Sequence, residues 1–164
     1  MTDPSLRKIT DRLSKTLTQD RTVQETTNDL REILDVDRVI LYYFYLQWKG
    51  QVTFESLSSP QLSVFGMTGA DDCFNGEYAA LYEAGRVRAI PDIELEPIHP
   101  CHRDFLRSIQ VRANLAVPVL NFKGLWGLLI AHNCRDTRVW LPADIEVMKK
   151  SAENLAKVSS IRDS

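Results

Sequence analysis

Two apolar runs, Asn114–Leu120 and Leu125–His132, stand only four residues apart, and the connecting Asn121-Phe122-Lys123-Gly124 carries a glycine suited to a tight reversal. Segments this rich in Val, Leu, Ile and Ala, joined this closely, bury themselves most simply by pairing antiparallel in the core of a sheet. An earlier segment, Val36–Leu46, turns to β-branched and aromatic residues, Arg38-Val39-Ile40-Leu41-Tyr42-Tyr43-Phe44-Tyr45, and Gly50 supplies a turn before Gln51–Leu57. These segments are read as a first hairpin.

Helical spacing lies outside the strands. Leu6, Ile9, Leu13 and Leu17 recur at three- or four-residue steps, and Val23, Leu30, Ile33 and Leu34 continue less regularly. This pattern predicts a helix that is interrupted or bent near Thr18–Thr22. Pro142 suits a first helical turn, and Ile145, Met148, Ala152, Leu155 and Val158 mark a last helix running nearly to the terminus. Helices at both ends of an antiparallel sheet give an α+β domain. The expected layout is one domain over 1–164, with N-terminal helices in 1–34, the sheet and a pocket in 35–141 and a C-terminal helix in 142–164.

The chain has 164 residues, a formal net charge of −2 and scattered Lys and Arg, so it lacks the basic stripe that nucleic-acid binding requires. No apolar run approaches the roughly 20 residues of a spanning helix, and Met1-Thr2-Asp3-Pro4 lacks the layout of a signal peptide. No membrane partner and a cytoplasmic location are therefore expected. The three cysteines, Cys73, Cys101 and Cys134, are odd in number and widely spaced, which favours free thiols over a disulfide framework.

The middle, Ser58–Gln110, is broken by Pro60, Gly66, Gly69, Asn75-Gly76, Pro91, Pro97 and Pro100. It leaves room only for short helices near Glu77–Ala84 and Cys101–Ser108 and a short strand near Val87–Ile90. A loop region this long inside a compact domain points to function. Its densest cluster is His99-Pro100-Cys101-His102, a thiol between two imidazoles at the start of a helix. A helix N-terminus and a nearby imidazolium both favour the thiolate, the form that adds to electrophiles.

Other readings of these residues stay open. Cys101 could be an ordinary buried cysteine with solvated histidines beside it. A metal site from His99, Cys101, His102 and Cys73 lacks paired ligand spacing. A nucleophilic Cys101 would need a base, for which only the distant His132 is serious, and no oxyanion-hole motif is visible, so no enzyme is expected. Asp71-Asp72-Cys73-Phe74 reads by itself as an Asx-type turn ending in a buried Cys-Phe pair. Cys134 is assigned to packing.

Taken together, Gly85-Arg86-Val87-Arg88-Ala89-Ile90-Pro91-Asp92-Ile93, Pro100-Cys101-His102, Gln110–Val119 and Leu125–His132 resemble the core of cyanobacteriochrome GAF domains, within the phytochrome superfamily. Asp71-Asp72-Cys73-Phe74 is similar to the signature of their Asp-x-Cys-Phe subgroup, and it stands 28 positions before Cys101, as in that subgroup. Tyr43 is a departure, since these domains often carry Arg in a Tyr-Arg-Phe segment.

The resemblance implies a GAF fold, with helices on one side of the sheet and a chromophore pocket with short helices on the other. It implies a photoreceptor in which Cys101 forms a thioether with the A-ring of phycocyanobilin, some of which is converted to phycoviolobilin in such members. His102 would contact the tetrapyrrole, Asp71 its ring nitrogens, and Arg86, with Arg88 or Arg112 as lesser candidates, its propionates. Phe74 belongs to the subgroup signature, and His132 resembles the histidine at the D-ring end. Cys73 would add reversibly to the central methine bridge, giving a blue-absorbing state that photoconverts to a teal, green or longer-wavelength one. An output domain in a longer protein and a homodimer through the terminal helices are the partners implied. The alternative is a GAF domain that binds a diffusible small ligand such as a cyclic nucleotide.

Overall fold

The computed structural model describes residues 4–69 and 76–164. Two helices open the chain, α1 (Pro4–Gln19) and α2 (Arg21–Leu34). The break between them falls at Asp20, whose extended backbone and side chain cap α2 by accepting a hydrogen bond from the Val23 N–H at 3.1 Å. Asp35 closes α2 in the left-handed region, at φ 51°.

Five strands form one antiparallel sheet: β1 (Arg38–Leu46), β2 (Lys49–Leu57), β3 (Arg88–Ile90), β4 (Ala113–Asn121) and β5 (Gly124–Asn133), in spatial order β2-β1-β5-β4-β3. The central β4–β5 hairpin and the β1–β2 hairpin agree with the sequence reading. The reversal in the first hairpin lies at Gln47-Trp48 instead of Gly50. Gly50 is a paired residue of β2 opposite Phe44, and a Cβ there would overlap the Tyr42 ring. The glycine serves close approach, not the turn.

Because strand side chains alternate, β1, β4 and β5 bury two separate sets of residues. Val39, Leu41, Leu115, Val117, Leu129 and Ala131 join one core with Leu17, Leu30 and Leu34 from the N-terminal helices and with Met148 and Leu155 from α5 (Pro142–Leu155). That helix ends earlier than the sequence pattern implied. A short α6 (Ser159–Arg162) follows, and its Ile161 is fully buried in the same core.

The opposite face carries the middle of the chain: α3 (Gly76–Glu83), α4 (Pro100–Ser108) and a 3-10 turn at Pro60–Leu62. Ile40, Val52, Val64, Ile93, Leu106 and Val111 make a second core there. No helix among the described residues is long and apolar enough to cross a membrane. The result is an α+β fold with an antiparallel sheet covered on both faces, as expected.

Candidate functional site

The second face of the sheet is incompletely filled. A cavity of about 330 Å³ lies over it, at the lower end of the range that small-molecule sites occupy. Its floor is the alternate register of three strands, Ile40 and Tyr42 of β1, Asn114 and Ala116 of β4, and Ile130 and His132 of β5. Tyr78 and Tyr82 of α3 and His102 and Phe105 of α4 complete the walls, with Arg86 and Arg88 beside them. The lining is thus aromatic and aliphatic with a few convergent polar groups.

The sequence expected a thiol at a helix start, and α4 begins at Pro100, with Cys101 in its first turn. His99 caps this helix, its Nδ1 accepting the Cys101 backbone N–H at 3.1 Å. Both residues that flank Cys101 with imidazoles, His99 and His102, line the cavity. Cys101 is disulfide-bonded, which departs from the expectation of free thiols. Cys134 is free, and its backbone N–H donates to Asp37 Oδ2 at 2.7 Å, a structural role at the end of β5.

The electrostatics correct one sequence inference. Burial, and then the neighbouring Arg88 and Arg86 charges, push the His102 imidazole down to about 4. At neutral pH it carries no positive charge, so it provides no imidazolium to stabilise a Cys101 thiolate. The helix N-terminus remains as the favourable influence. A neutral His102 is instead available to the cavity as a hydrogen-bonding ring.

Arg86 and Arg88 both reach the cavity lining. The Arg86 guanidinium lies 5.7 Å from the centres of both the Tyr78 and Tyr82 rings, a cation–π seat. Arg88 stands 3.8 Å from Glu96. Arg112, the third candidate cation, is not part of the lining and forms a two-pronged pair with Asp92 at 2.9 and 3.1 Å. Tyr43 packs on the helix side of the sheet, its ring centre 5.1 Å from that of Trp126. Its replacement of the more usual Arg therefore does not alter the cavity wall. Asp71, Cys73 and Phe74 lie outside the described residues.

His132 is only 2% exposed and lines the cavity. Burial first, then the nearby Arg38 charge and the proximity of the titratable His102 ring, hold its imidazole well below the usual histidine range. Its Nδ1 accepts a hydrogen bond from Arg38 Nε at 3.1 Å. Arg38, Tyr42, Tyr82 and Asn114 were not singled out from sequence. The signal that could have found Tyr42 and Asn114 is their period-two relation to Ile40 and Ala116 on strands whose other face is plainly core. Among the described residues, no three His, Cys, Asp or Glu side chains gather to hold a metal ion.

The GAF domain family profile matches residues 18–158. The chain belongs to the GAF family. This GAF domain is 49% identical over 156 residues to an uncharacterized protein of Picosynechococcus, with 95% of this chain and 96% of that protein covered. It is 36% identical to a putative methyl-accepting chemotaxis protein of Synechocystis over 87% of this chain, which spans only 14% of that relative's length. Among solved structures, the blue-light-absorbing form of the PixJ GAF domain of Thermosynechococcus elongatus superposes with a TM-score of 0.77 at 30% identity, covering 99% of this chain and 90% of that one. The GAF domain is thus homologous to members of the cyanobacteriochrome and phytochrome superfamily, whose GAF domains are signalling modules and not enzymes.

Proposed function

We propose that this GAF domain is a light sensor that carries a linear tetrapyrrole, phycocyanobilin or its isomer phycoviolobilin, joined covalently through Cys101. Cys73 serves as a second, reversible thioether donor, which gives a blue-absorbing state and a teal, green or longer-wavelength one. The observation that carries this reading is the cavity itself. It is a slot over the sheet whose aromatic and aliphatic lining is interrupted by Arg86, Arg88, Asn114 and His132, and it is also lined by His99 and His102, which stand on either side of Cys101 in the chain. A conjugated chain of four pyrrole-type rings, with sparse NH, carbonyl and carboxylate groups, calls for that combination. Similarity to the blue-absorbing PixJ GAF domain supports the same reading.

The chain's residues divide the work. Attachment at Cys101 is an addition of S–H across a carbon–carbon double bond: a C–S bond forms, the thiol hydrogen ends on the neighbouring carbon, and no oxidant is consumed. It requires the reduced thiol, so the Cys101 disulfide must first be opened by thiol–disulfide exchange with an external dithiol, which is itself oxidised to its disulfide. Arg86 and Arg88 supply charge to carboxylate side chains, and both already flank the cavity. His102 and His132, both neutral, offer hydrogen bonds without importing a second charge into a low-dielectric slot. The bilin supplies light absorption and double-bond isomerisation when bound. Asp71 and Phe74 act beside Cys73 in this reading, and the terminal helices pass the state to an output domain or to a second copy.

The test is co-production with phycocyanobilin under reducing conditions, followed by denaturation and absorption spectra before and after blue light. A pigment that stays attached in the wild type, is lost in Cys101→Ala, and lacks its blue-absorbing state in Cys73→Ala is the expected result. A correctly folded, reduced protein that remains colourless would overturn the proposal and leave a diffusible small ligand as the occupant.

A further inference from the structure

The most heavily buried charge in the described structure is Arg38, the first residue of β1, which is 1% exposed. A guanidinium stays protonated in a protein and can only donate. Arg38 spends its donors on three acceptors: Nε on His132 Nδ1 at 3.1 Å, Nη1 on the Leu62 carbonyl at 2.6 Å and Nη2 on the Ile109 carbonyl at 2.7 Å. Among the described residues, none of these partners is a carboxylate. The adjacent Asp37 is turned to Arg135, at 2.9 Å, and to the Cys134 backbone. A buried cation without an ion pair is costly. Its position therefore calls for an explanation beyond packing.

Register supplies the first part of that explanation. Arg38 pairs directly with His132 across β1 and β5, and Asn114 pairs with His132 across β4 and β5. Residues opposite one another in neighbouring strands point to the same face, here the cavity face. The Arg38 side chain accordingly lies beside the imidazole, and it also grips the carbonyl of Ile109, where α4 ends. One guanidinium thus ties the cavity histidine to the helix that carries Cys101 and His102.

The second part is chemical. Since Arg38 Nε–H is an obligate donor, the His132 nitrogen it meets must present a lone pair. The imidazole proton is then on Nε2, the ring's remaining polar atom. The fixed positive charge beside Nδ1, with His102 the other titratable group acting on the ring, also disfavours a second proton.

We propose that Arg38 is a positioning residue that locks the cavity-lining His132 as a single neutral Nε2–H tautomer. With Nδ1 committed to the guanidinium, the ring has only a donor left to offer and no acceptor. The inference rests on the protein alone and not on the tetrapyrrole reading.

The experiment is long-range proton–nitrogen NMR of reduced, ligand-free protein labelled with nitrogen-15, with His132 assigned by the signal lost in His132→Gln. The expected result is a single Nε2–H tautomer, with nitrogen–nitrogen coupling across the hydrogen bond from Arg38 Nε to His132 Nδ1. Arg38→Met is expected to lose that coupling and to give a mixture of tautomers. An Nδ1–H or mixed tautomer in the wild type, or one unchanged tautomer in a folded Arg38→Met, overturns the proposal. Where Arg38→Met does not fold, the presence or absence of the wild-type coupling decides. A locked tautomer in a protein that takes up no pigment would leave Arg38's role standing while the photoreceptor reading fails.

Discussion

Acidification provides the most quantitative check on the site, because one cavity histidine is held far from its solution behaviour. His102 is pushed down to about 4 by burial first and by Arg88 and Arg86 next. The unfolded chain takes up a proton at this histidine from about pH 6.5 downward, whereas the folded domain refuses it until about pH 4. Between those values the unfolded state binds more protons, so stability falls as the pH falls, and the loss is complete below the lower value. At about pH 5 the difference in proton binding amounts to ~2 kcal/mol relative to neutral pH.

Replacing His102 with Gln removes the titration while keeping a polar side chain. Its own cost at neutral pH cancels when each protein is compared with itself. Urea unfolding at about pH 7.5 and about pH 5 is then expected to show a midpoint drop roughly 1 M larger in the wild type than in His102→Gln, taking a slope of ~2 kcal/mol per molar. Contributions from the exposed carboxylates paired with arginines are common to both proteins. Equal midpoint drops would refute the reasoning and show that His102 titrates as it would in water.

Other consequences are simpler. Arg88→Gln is expected to raise the acid-shifted titration of His102 only partway towards the solution value, as read by imidazole NMR, because burial is the larger cause; a return to the full solution value would contradict that ranking. Asp20→Ala removes the cap of α2 and is expected to cost about 1 kcal/mol in chemical denaturation, with unchanged stability counting against the cap. Leu129→Ala opens a void at a fully buried point of the helix-side core and is expected to cost about 3 kcal/mol by the same assay. Gly127→Ala places a Cβ against the Tyr42 carbonyl where β1 and β5 pair, and is expected to yield little folded protein.

The elements were legible where one physical signal dominated. Val39/Leu41 and Leu129/Ala131 alternate on strands bounded by turn residues, and Leu13/Leu17 and Met148/Leu155 repeat at helical steps, so both the sheet and its helical cover could be read in advance. Gly50 misled because a glycine between two strand-like runs looks like a turn, and only the packed Tyr42 ring reveals that it serves a close approach. The end of α5 misled for a related reason. Val158 and Ile161 keep an apolar rhythm, yet the chain leaves the helix after Leu155 and re-enters it at Ser159, burying Ile161 from a different direction.

The site was legible in its reactive atoms and opaque in their electrostatics. Cys101, His102 and His132 stand out as residue types, but their charge states depend on what surrounds them in space. His102 looked like a cation that would activate the neighbouring thiol. Burial next to two arginines makes it neutral. Arg38 lies within a strand-like run, and nothing in the sequence separates it from an exposed arginine. What distinguishes it is long-range: its acceptors at Leu62, Ile109 and His132 are 24, 71 and 94 positions away. Only the completed sheet brings these groups together. A one-residue slip of β1 against β5 would carry Arg38 to the helix-side face and leave the guanidinium in an apolar core. The arrangement that sets the His132 tautomer therefore also penalises the wrong register, so one buried cation can serve both the site and the fold.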